Sequence, residues 1–400
     1  MADPKGFLKY KRALPNARKP EERIKDYKEI YLPYAEEATN KQAARCMDCG
    51  VPFCHNGCPL GNNIPDFNDA VYKGDWAEAF DILDSTNNFP EFTGRICPAP
   101  CEQACVLNVN QDPVAIEHIE KSIIEKAFDL GLVKPKTPIK RTGRKVAIIG
   151  SGPSGLACAD QLNAAGHWVT VFEKNDRVGG LVRYGVPDFK LEKWVIDRRV
   201  ELLMQSGIEF KTNVWVGKDI STEDLDDEFD VIVLCGGAEQ PRDLPIPGRD
   251  AKGIYPAMEF LMQSNKAIAG DKVADQILAT DRKVVVIGGG DTGSDCIGTS
   301  NRQGASQIIQ IEIMGKPSYT VDKTLTWPNW PMVIRTSSSH EEGCERAWSV
   351  LSKSFIKDDQ GNLTGLKVVN IAWEMDENTG RNTMKEIAGT EEIIPCDLAF

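Results

Sequence analysis

Seven cysteines within the first 105 residues have the type and spacing for iron–sulfur chemistry. Cys46, Cys49, Cys54 and Cys58 read C-x2-C-x4-C-x3-C-P, and Cys97, Cys101 and Cys105 read C-P-x2-C-x3-C. Four-iron clusters need thiolates close enough for a turn or two of chain to wrap a cube, and a Pro directly after the last Cys belongs to that signature. Structural zinc competes, because His55 lies inside the first run. Zinc favours paired C-x2-C knuckles with a longer gap, so the x4 and x3 spacings fit iron better. Buried free thiols are the third option. Cys158, Cys235, Cys296, Cys344 and Cys396 stand alone and read as small apolar packing residues.

Two glycine loops come next. In Gly150-x-Gly152-x-x-Gly155, around Pro153 and Ser154, the first glycine makes a tight turn. The second admits a pyrophosphate to the backbone, and the third allows close helix–strand packing. The helix N-terminus then faces the phosphates. Glu173 ends the following strand, where an acid can bond a ribose hydroxyl. Gly180 and Leu181, with Arg183 just beyond, suit a flavin pressed against backbone; a plain loop is the bland alternative. The second loop is Gly288-x-Gly290-x-x-Gly293, enclosing Asp291 and Thr292, with Glu312 in the later strand. A bound flavin and an exchangeable nicotinamide form the economical pair, since hydride transfer stacks both rings. One-electron carriers joined to such a pair imply a machine that splits hydrides into single electrons. A 2′-phosphate needs cations where this chain carries Glu312, so the sequence favours NADH over NADPH. Lys316 and Arg302 would rescue NADPH if they fold inward, and Glu312 decides nothing if it faces water. The four histidines do not cluster and no HExxH helix occurs. Trp327-Pro-Asn-Trp-Pro331 reads either as a rigid loop over the nicotinamide site or as surface packing.

The elements that must carry these residues can be read from periodicity. Residues 1–40 are charged and Pro-punctuated, an arm with a helical pattern around Glu21–Tyr31. Trp76, Ala79, Phe80 and Leu83 share one side of a helix at 75–84. Pro113–Leu130 is helical, with Gly131 as its cap. The basic linker Lys134–Arg144 marks a boundary. Two β-α-β units then start at Lys145 and Lys283, and Asp230–Gly237 reads as a buried strand between them. Ile393–Phe400 reads as a strand cut off at the last residue, so a longer natural chain is expected. The fold class is α/β: a helical iron–sulfur domain (1–140), a flavin-binding Rossmann-like domain (141–255) and a nicotinamide-binding one (256–400). A net charge of −12 argues against nucleic acid, and no apolar run approaches the ~20 residues of a membrane span. Polar residues 1–20 and twelve cysteines without a secretory signal predict reduced thiols and a cytoplasmic setting.

The order of these motifs resembles the glutamate synthase small (beta) subunit family. The cysteine runs, VAIIGSGPSGLACA from Val146, Gly185-Val-Pro-Asp-Phe-Lys190, the stretch from Asp230 to Gly248, and VVVIGGGDTGSDC ending at Cys296 all occur in that order. The resemblance covers the whole chain. The wider family takes in the N-terminal half of dihydropyrimidine dehydrogenase and ferredoxin:NAD(P) oxidoreductases. It implies FAD on the first loop, NADH or NADPH on the second, and two 4Fe-4S clusters passing electrons to FMN in a large (alpha) subunit that makes glutamate. It also implies a further segment beyond Phe400 that completes the FAD domain. A ferredoxin-coupled or sulfur-reducing oxidoreductase and a zinc-stabilised scaffold are the alternatives. In double-cluster runs the Cys before Pro serves the other cluster. That assigns Cys46, Cys49, Cys54 and Cys105 to one cluster, and Cys58, Cys97 and Cys101 to the second. The resemblance to dihydropyrimidine dehydrogenase implies the same pairing, with an eighth ligand at or near Glu120 and Glu117 one turn earlier. The alternative is that both acids are solvated surface charges.

Overall fold

The computed structural model of the chain describes residues 2–320, 322–375 and 380–400. Its N-terminal part consists of short helices, because glycines and Cys-Pro steps interrupt each apolar run. Gly74, left-handed at φ 78°, ends helix Ile64–Lys73. The Asp75 carboxylate then accepts the Glu78 N–H at 3.0 Å and starts helix Trp76–Asp84. Trp76, Ala79, Phe80 and Leu83 are buried on one side of it, as their spacing predicts. Helix Ile116–Asp129 buries Ile116, Ile119, Ile123, Ile124 and Ala127. These faces close on a core that includes Cys46, Cys54, Cys101 and Cys105, so the thiols lie inside the packing.

Two parallel sheets follow. In the first, strands Glu209–Lys211, Trp168–Phe172, Lys145–Ile149 and Val231–Leu234 lie side by side in that order. In the second the order is Leu398–Ala399, Lys283–Ile287, Gln307–Glu312 and Glu345–Trp348. Each contains the expected β-α-β start, with helix Pro153–Ala164 or Asp291–Arg302 as the crossover. Crossover helices begin at the C-terminal edge of a parallel sheet, so both glycine loops open there. An antiparallel sheet that the sequence reading did not anticipate joins Val350–Lys357, Leu363–Met375, Asn382–Glu386 and Glu392–Pro395. Leu363, Leu366 and Val368 from it share a core with Leu244, Ile246, Val285 and Ile311.

Three local expectations differ from the structure. The strand Val231–Leu234 is not buried: it is the outermost strand of its sheet, and Val231 and Leu234 are 51% and 81% exposed. Ile393–Phe400 is not one strand. Pro395 ends the antiparallel strand, and Asp397 turns the chain by accepting the Lys283 N–H at 2.9 Å before Leu398–Ala399 joins the second parallel sheet. Over the Glu21–Tyr31 stretch the arm is helical only as far as Arg23, in helix Pro20–Arg23. Beyond that the backbone is claimed by other elements, with the Ile30 N–H donated to the Phe189 carbonyl at 3.2 Å. Arg23 is fully buried and donates to Glu342 at 2.6 Å, and Glu342 also accepts from Arg302 at 2.6 Å. Glu29 of the arm accepts from Arg95 and Lys121 of the helical domain at 2.5 and 2.8 Å. No helix among the described residues is long and apolar enough to cross a membrane.

Candidate functional site

The first loop has the shape its glycines predict. Gly150 adopts φ 106°, and a Cβ on Gly155 would sit 2.0 Å from the Gly150 carbonyl oxygen. At Gly152 an added Cβ would meet no atom within 4 Å. That open backbone is the cradle a pyrophosphate requires. The loop lies in a groove of about 680 Å³ walled by Pro153, Ser154, Glu173, Gly180, Leu181, Trp215 and Cys235. Glu173 is 5% exposed. One of its oxygens accepts the Ser151 N–H and hydroxyl at 3.2 and 2.5 Å; the other accepts the Asn175 N–H and side-chain amide at 2.8 and 2.9 Å. A carboxylate has about four acceptor positions, so Ser151 and Asn175 fill them, and a ribose hydroxyl would have to displace one. Arg183 is not on the groove wall. Its guanidinium is held by the Val178 carbonyl and Asp197 at 2.9 and 2.5 Å. Cys235 lines the groove and, with Cys158, packs against the core of the first sheet; Cys344 packs against that of the second, and Cys296 and Cys396 are inside the core, so all five act as small apolar packing residues.

The second loop repeats the backbone with different anchoring. Gly288 adopts φ 117°, Gly290 faces open space, and a Cβ on Gly293 would lie 2.8 Å from the Gly288 carbonyl oxygen. Glu312 accepts the Gly289 N–H at 2.6 Å with one oxygen and the Met314 N–H at 3.2 Å with the other. It therefore turns toward the loop, with acceptor positions to spare. Arg302 cannot reach a 2′-phosphate: it is buried against Glu342, the Asp26 carbonyl and the Phe189 ring. Lys316 stays near the sheet edge, over the rings of Tyr319 and Trp348. A brace that sequence reasoning missed runs beneath this loop. The Gln310 amide donates to the Gly288 carbonyl at 2.9 Å, and His340 Nε2 lies 2.9 Å from the Gln310 amide oxygen. His340 Nδ1 accepts the Ser337 N–H at 3.0 Å. Burial, with Arg346 and Lys190 nearby, lowers the His340 pKa to about 4, so the ring is neutral.

The seven cysteines separate into two groups. Cys46, Cys49, Cys54 and Cys105 line one cavity with Asn68, Phe53 and Ile64. Cys97 and Cys101 feel Cys58 and Glu120 as near charges, and Glu117 presses on Cys97. Glu120 is buried and accepts from the Asn62 amide at 3.0 Å, while Asn62 accepts from the Thr86 hydroxyl at 2.8 Å. Glu117 and Glu120 are therefore not solvated surface charges. Burial raises their pKa values to about 9 and about 7. Burial also pushes the Cys46 and Cys54 thiols up to about 12. Such thiols ionise only against the charge of a bound metal. A four-iron cube takes its thiolates at separate corners, which suits four cysteines spread around one cavity. His55 is occupied otherwise, since its Nε2 accepts the Ile64 N–H at 3.1 Å. The donor set of each group fits an iron–sulfur cluster.

The second loop and one cysteine group meet. Cys97 and Pro98 share a cavity with Glu117, Phe189, Lys190, Asp291 and Ser337; Thr292 follows Asp291 in the first turn of its helix. The Trp327–Pro331 stretch does not cover this cavity. It lies on the other cysteine group, where the Trp327 indole donates to the Cys105 carbonyl at 3.2 Å and packs, tilted by 47°, with its ring centre 4.6 Å from that of Phe53.

A helical domain with two cysteine groups, joined to two dinucleotide loops, defines an iron–sulfur pyridine-nucleotide oxidoreductase. Residues 23–132 match the 4Fe-4S cluster family of dihydropyrimidine dehydrogenase domain II, and residues 144–326 match the pyridine nucleotide-disulphide oxidoreductase family. The glutamate synthase [NADPH] small chain of Mycobacterium tuberculosis (strain CDC 1551 / Oshkosh) is 54% identical over 92% of this chain and 76% of its own length. That of Bacillus subtilis is 45% identical over 100% of this chain and 84% of its own. The glutamate synthase [NADH] of Schizosaccharomyces pombe is 48% identical over 99% of this chain, which matches 19% of that longer protein. FprA, an oxidoreductase of M. tuberculosis, shares the fold at a TM-score of 0.50 and 18% identity, over 64% of this chain and 70% of its own. The chain belongs to the glutamate synthase small-chain family.

Proposed function

We propose that this protein is the electron-input subunit of a glutamate synthase, with residues 1–140, 141–255 and 256–400 as its cluster, flavin and nicotinamide units. The observation that carries the reading is the shared cavity: Cys97, from one cysteine group, borders the same space as Asp291 of the second loop and Lys190 beside the first unit. Gly150, Gly152 and Gly155 would hold the FAD pyrophosphate at the N-terminus of helix Pro153–Ala164, with Ser154, Gly180 and Leu181 along the groove. Gly288, Gly290 and Gly293 would hold the nicotinamide dinucleotide in the same manner. Cys46, Cys49, Cys54 and Cys105 would hold one 4Fe-4S cluster, and Cys58, Cys97, Cys101 and Glu120 the other. When bound, the flavin accepts a hydride and yields its electrons singly to the clusters. The chain's own part is to align the two dinucleotides, to bury the thiolates away from water, and to end the route at a surface where a large subunit receives the electrons. Free cysteines and iron–sulfur ligation favour the reducing cytoplasm.

NADH is the favoured donor in this reading. Glu312 keeps spare acceptor positions for the 2′- and 3′-hydroxyls, and its charge opposes a 2′-phosphate. The names of relatives divide: the bacterial small chains are NADPH enzymes and the S. pombe protein an NADH enzyme. The test is anaerobic reduction of an artificial acceptor by each nucleotide, with iron and sulfide analysis. The expected result is a brown, iron-containing protein that reduces the acceptor and makes no glutamate alone. A colourless protein, or glutamate formation without a partner, would overturn the reading.

A further inference from the structure

The two cysteine groups differ in the balance of donors and carboxylates around them. Around Cys58, Cys97 and Cys101 the Ala99 N–H donates to Cys97 at 3.4 Å, and the other near groups are carboxylates: Glu117 and Glu120 act on Cys97, and Glu120 and Glu102 on Cys101. The amide closest to hand there, Asn62, is already spent on Glu120. Around Cys46, Cys49, Cys54 and Cys105 donors outnumber the carboxylates, which are Asp48 beside Cys49 and Glu102 beside Cys105. Cys105 faces the N–H groups of Val114, Leu107 and Asn108, Cys46 that of Asp48, and Cys54 that of His55. Asn68 completes this side. It projects from helix Ile64–Lys73, is 0% exposed, and lines the four-thiol cavity. Neither atom of its amide has a hydrogen-bond partner in the chain. Buried amides without a partner are rare in folded proteins. The neighbour that can use the N–H end is sulfur, because Asn68 shares its cavity with all four thiols.

We infer that the Asn68 amide donates an N–H to sulfur at the cluster carried by Cys46, Cys49, Cys54 and Cys105, and that this makes it the higher-potential cluster of the two. The inference rests on the cluster-bearing reading above. Reduction adds one negative charge to a cluster. Hydrogen bonds to its sulfurs stabilise that charge, and neighbouring carboxylates oppose it. Passing one electron from the Cys97 side to the Cys105 side oxidises one cluster and reduces the other, with no proton required. The electron then enters beside the dinucleotide cavity and runs downhill toward the side where Trp327 lies. Asn68 is a positioning and tuning residue here, not a ligand.

The experiment is an EPR-monitored redox titration of the full chain as isolated, comparing wild type, Asn68→Leu and Asn68→Gln. The resonance present in wild type and lost in Cys101→Ser belongs to the Cys97 group, which assigns the remaining one to the Cys105 group. The expected result for Asn68→Leu is unchanged iron content and a roughly tenfold weaker reduction equilibrium at one cluster, about 59 mV for a one-electron couple. That cluster should be the higher-potential one, the other should not move, and Asn68→Gln should restore part of the shift. Unmoved midpoints, or a shift confined to the Cys97 group, would overturn the inference. If the variants lose iron, wild type carrying 15N only in asparagine side chains decides by pulsed EPR. A 15N coupling at the higher-potential cluster supports the N–H···S bond, and its absence refutes it. A wild-type protein without iron would instead overturn the proposed function itself.

Discussion

The loop at Gly150 and the loop at Gly288 share their glycine spacing, their crossover helix and an acid after the second strand, yet they are anchored to different degrees. Glu173 is buried and its acceptor positions are filled by Ser151 and Asn175. Glu312 is only partly buried and accepts from two backbone N–H groups. The third glycine is also tighter in the first loop, with 2.0 Å against 2.8 Å between an added Cβ and the facing carbonyl. A fixed loop suits a group that stays bound through many turnovers, and a looser one suits a nucleotide that must leave after each. The same motif is thus tuned by what its acid touches.

The sharpest way to break this comparison is to crowd both loops equally. Gly155→Ala should cost about 3 kcal/mol and abolish flavin retention, read by visible absorbance and thermal melting. Gly293→Ala should cost about 1 kcal/mol, keep the flavin and raise the nicotinamide KM. Equal losses from the two would show that the loops do not differ. Next in size is Glu173→Gln, which turns an NH2 group toward donors and leaves a buried N–H without an acceptor, at about 1–3 kcal/mol. Flavin dissociation should strengthen roughly tenfold, measured by fluorescence on dilution; an unchanged Kd would mean the brace is idle. Glu312→Gln should leave flavin binding alone and move the NADH-to-NADPH ratio of kcat/KM toward NADPH by roughly tenfold. No movement in that ratio would remove Glu312 as the selector. The smallest effect concerns pH. The His340 pKa is lowered to about 4 in the folded chain, against about 6.5 unfolded. Between those values the unfolded chain takes the proton first, so the contribution is complete above pH 6.5 and is lost as pH falls toward 4. Protonating Nδ1 also breaks its bond from Ser337. Nicotinamide affinity should weaken gradually over that window while flavin stays bound, and His340→Gln should flatten the slope.

Local patterns in the sequence carried much of this architecture. The strand–glycine–helix starts at Lys145 and Lys283 follow from apolar runs that end in glycine, and the helical face of Trp76–Leu83 follows from its period. The Pro after Cys58 is enough to send that cysteine to the other group. What the sequence did not disclose depends on partners far along the chain. Nothing local marks Val231–Leu234 as an outermost strand, because its apolar residues read the same whether or not a neighbour covers them. The antiparallel sheet from Val350 to Pro395 interrupts a unit that seemed complete. Arg302 looked available for a phosphate until Glu342 and the arm enclosed it. Asn68 carries no signal at all, since an amide on an amphipathic helix becomes unusual only when burial strips it of partners. The Trp327 stretch stood out by composition, but its seat against Cys105 could not be read from it.

The buried pairing of Arg23 with Glu342 also bears on how the molecule is made. Its two halves are 319 residues apart. During synthesis at about 5–20 residues per second, the first of them waits on the order of tens of seconds for the second to leave the ribosome. The helical domain can collapse in that interval, but the arm that ties it to the last unit cannot dock on that unit. Arg23 therefore lacks its buried partner until Glu342 has emerged, while Glu29 on the same arm can already pair with Arg95 and Lys121.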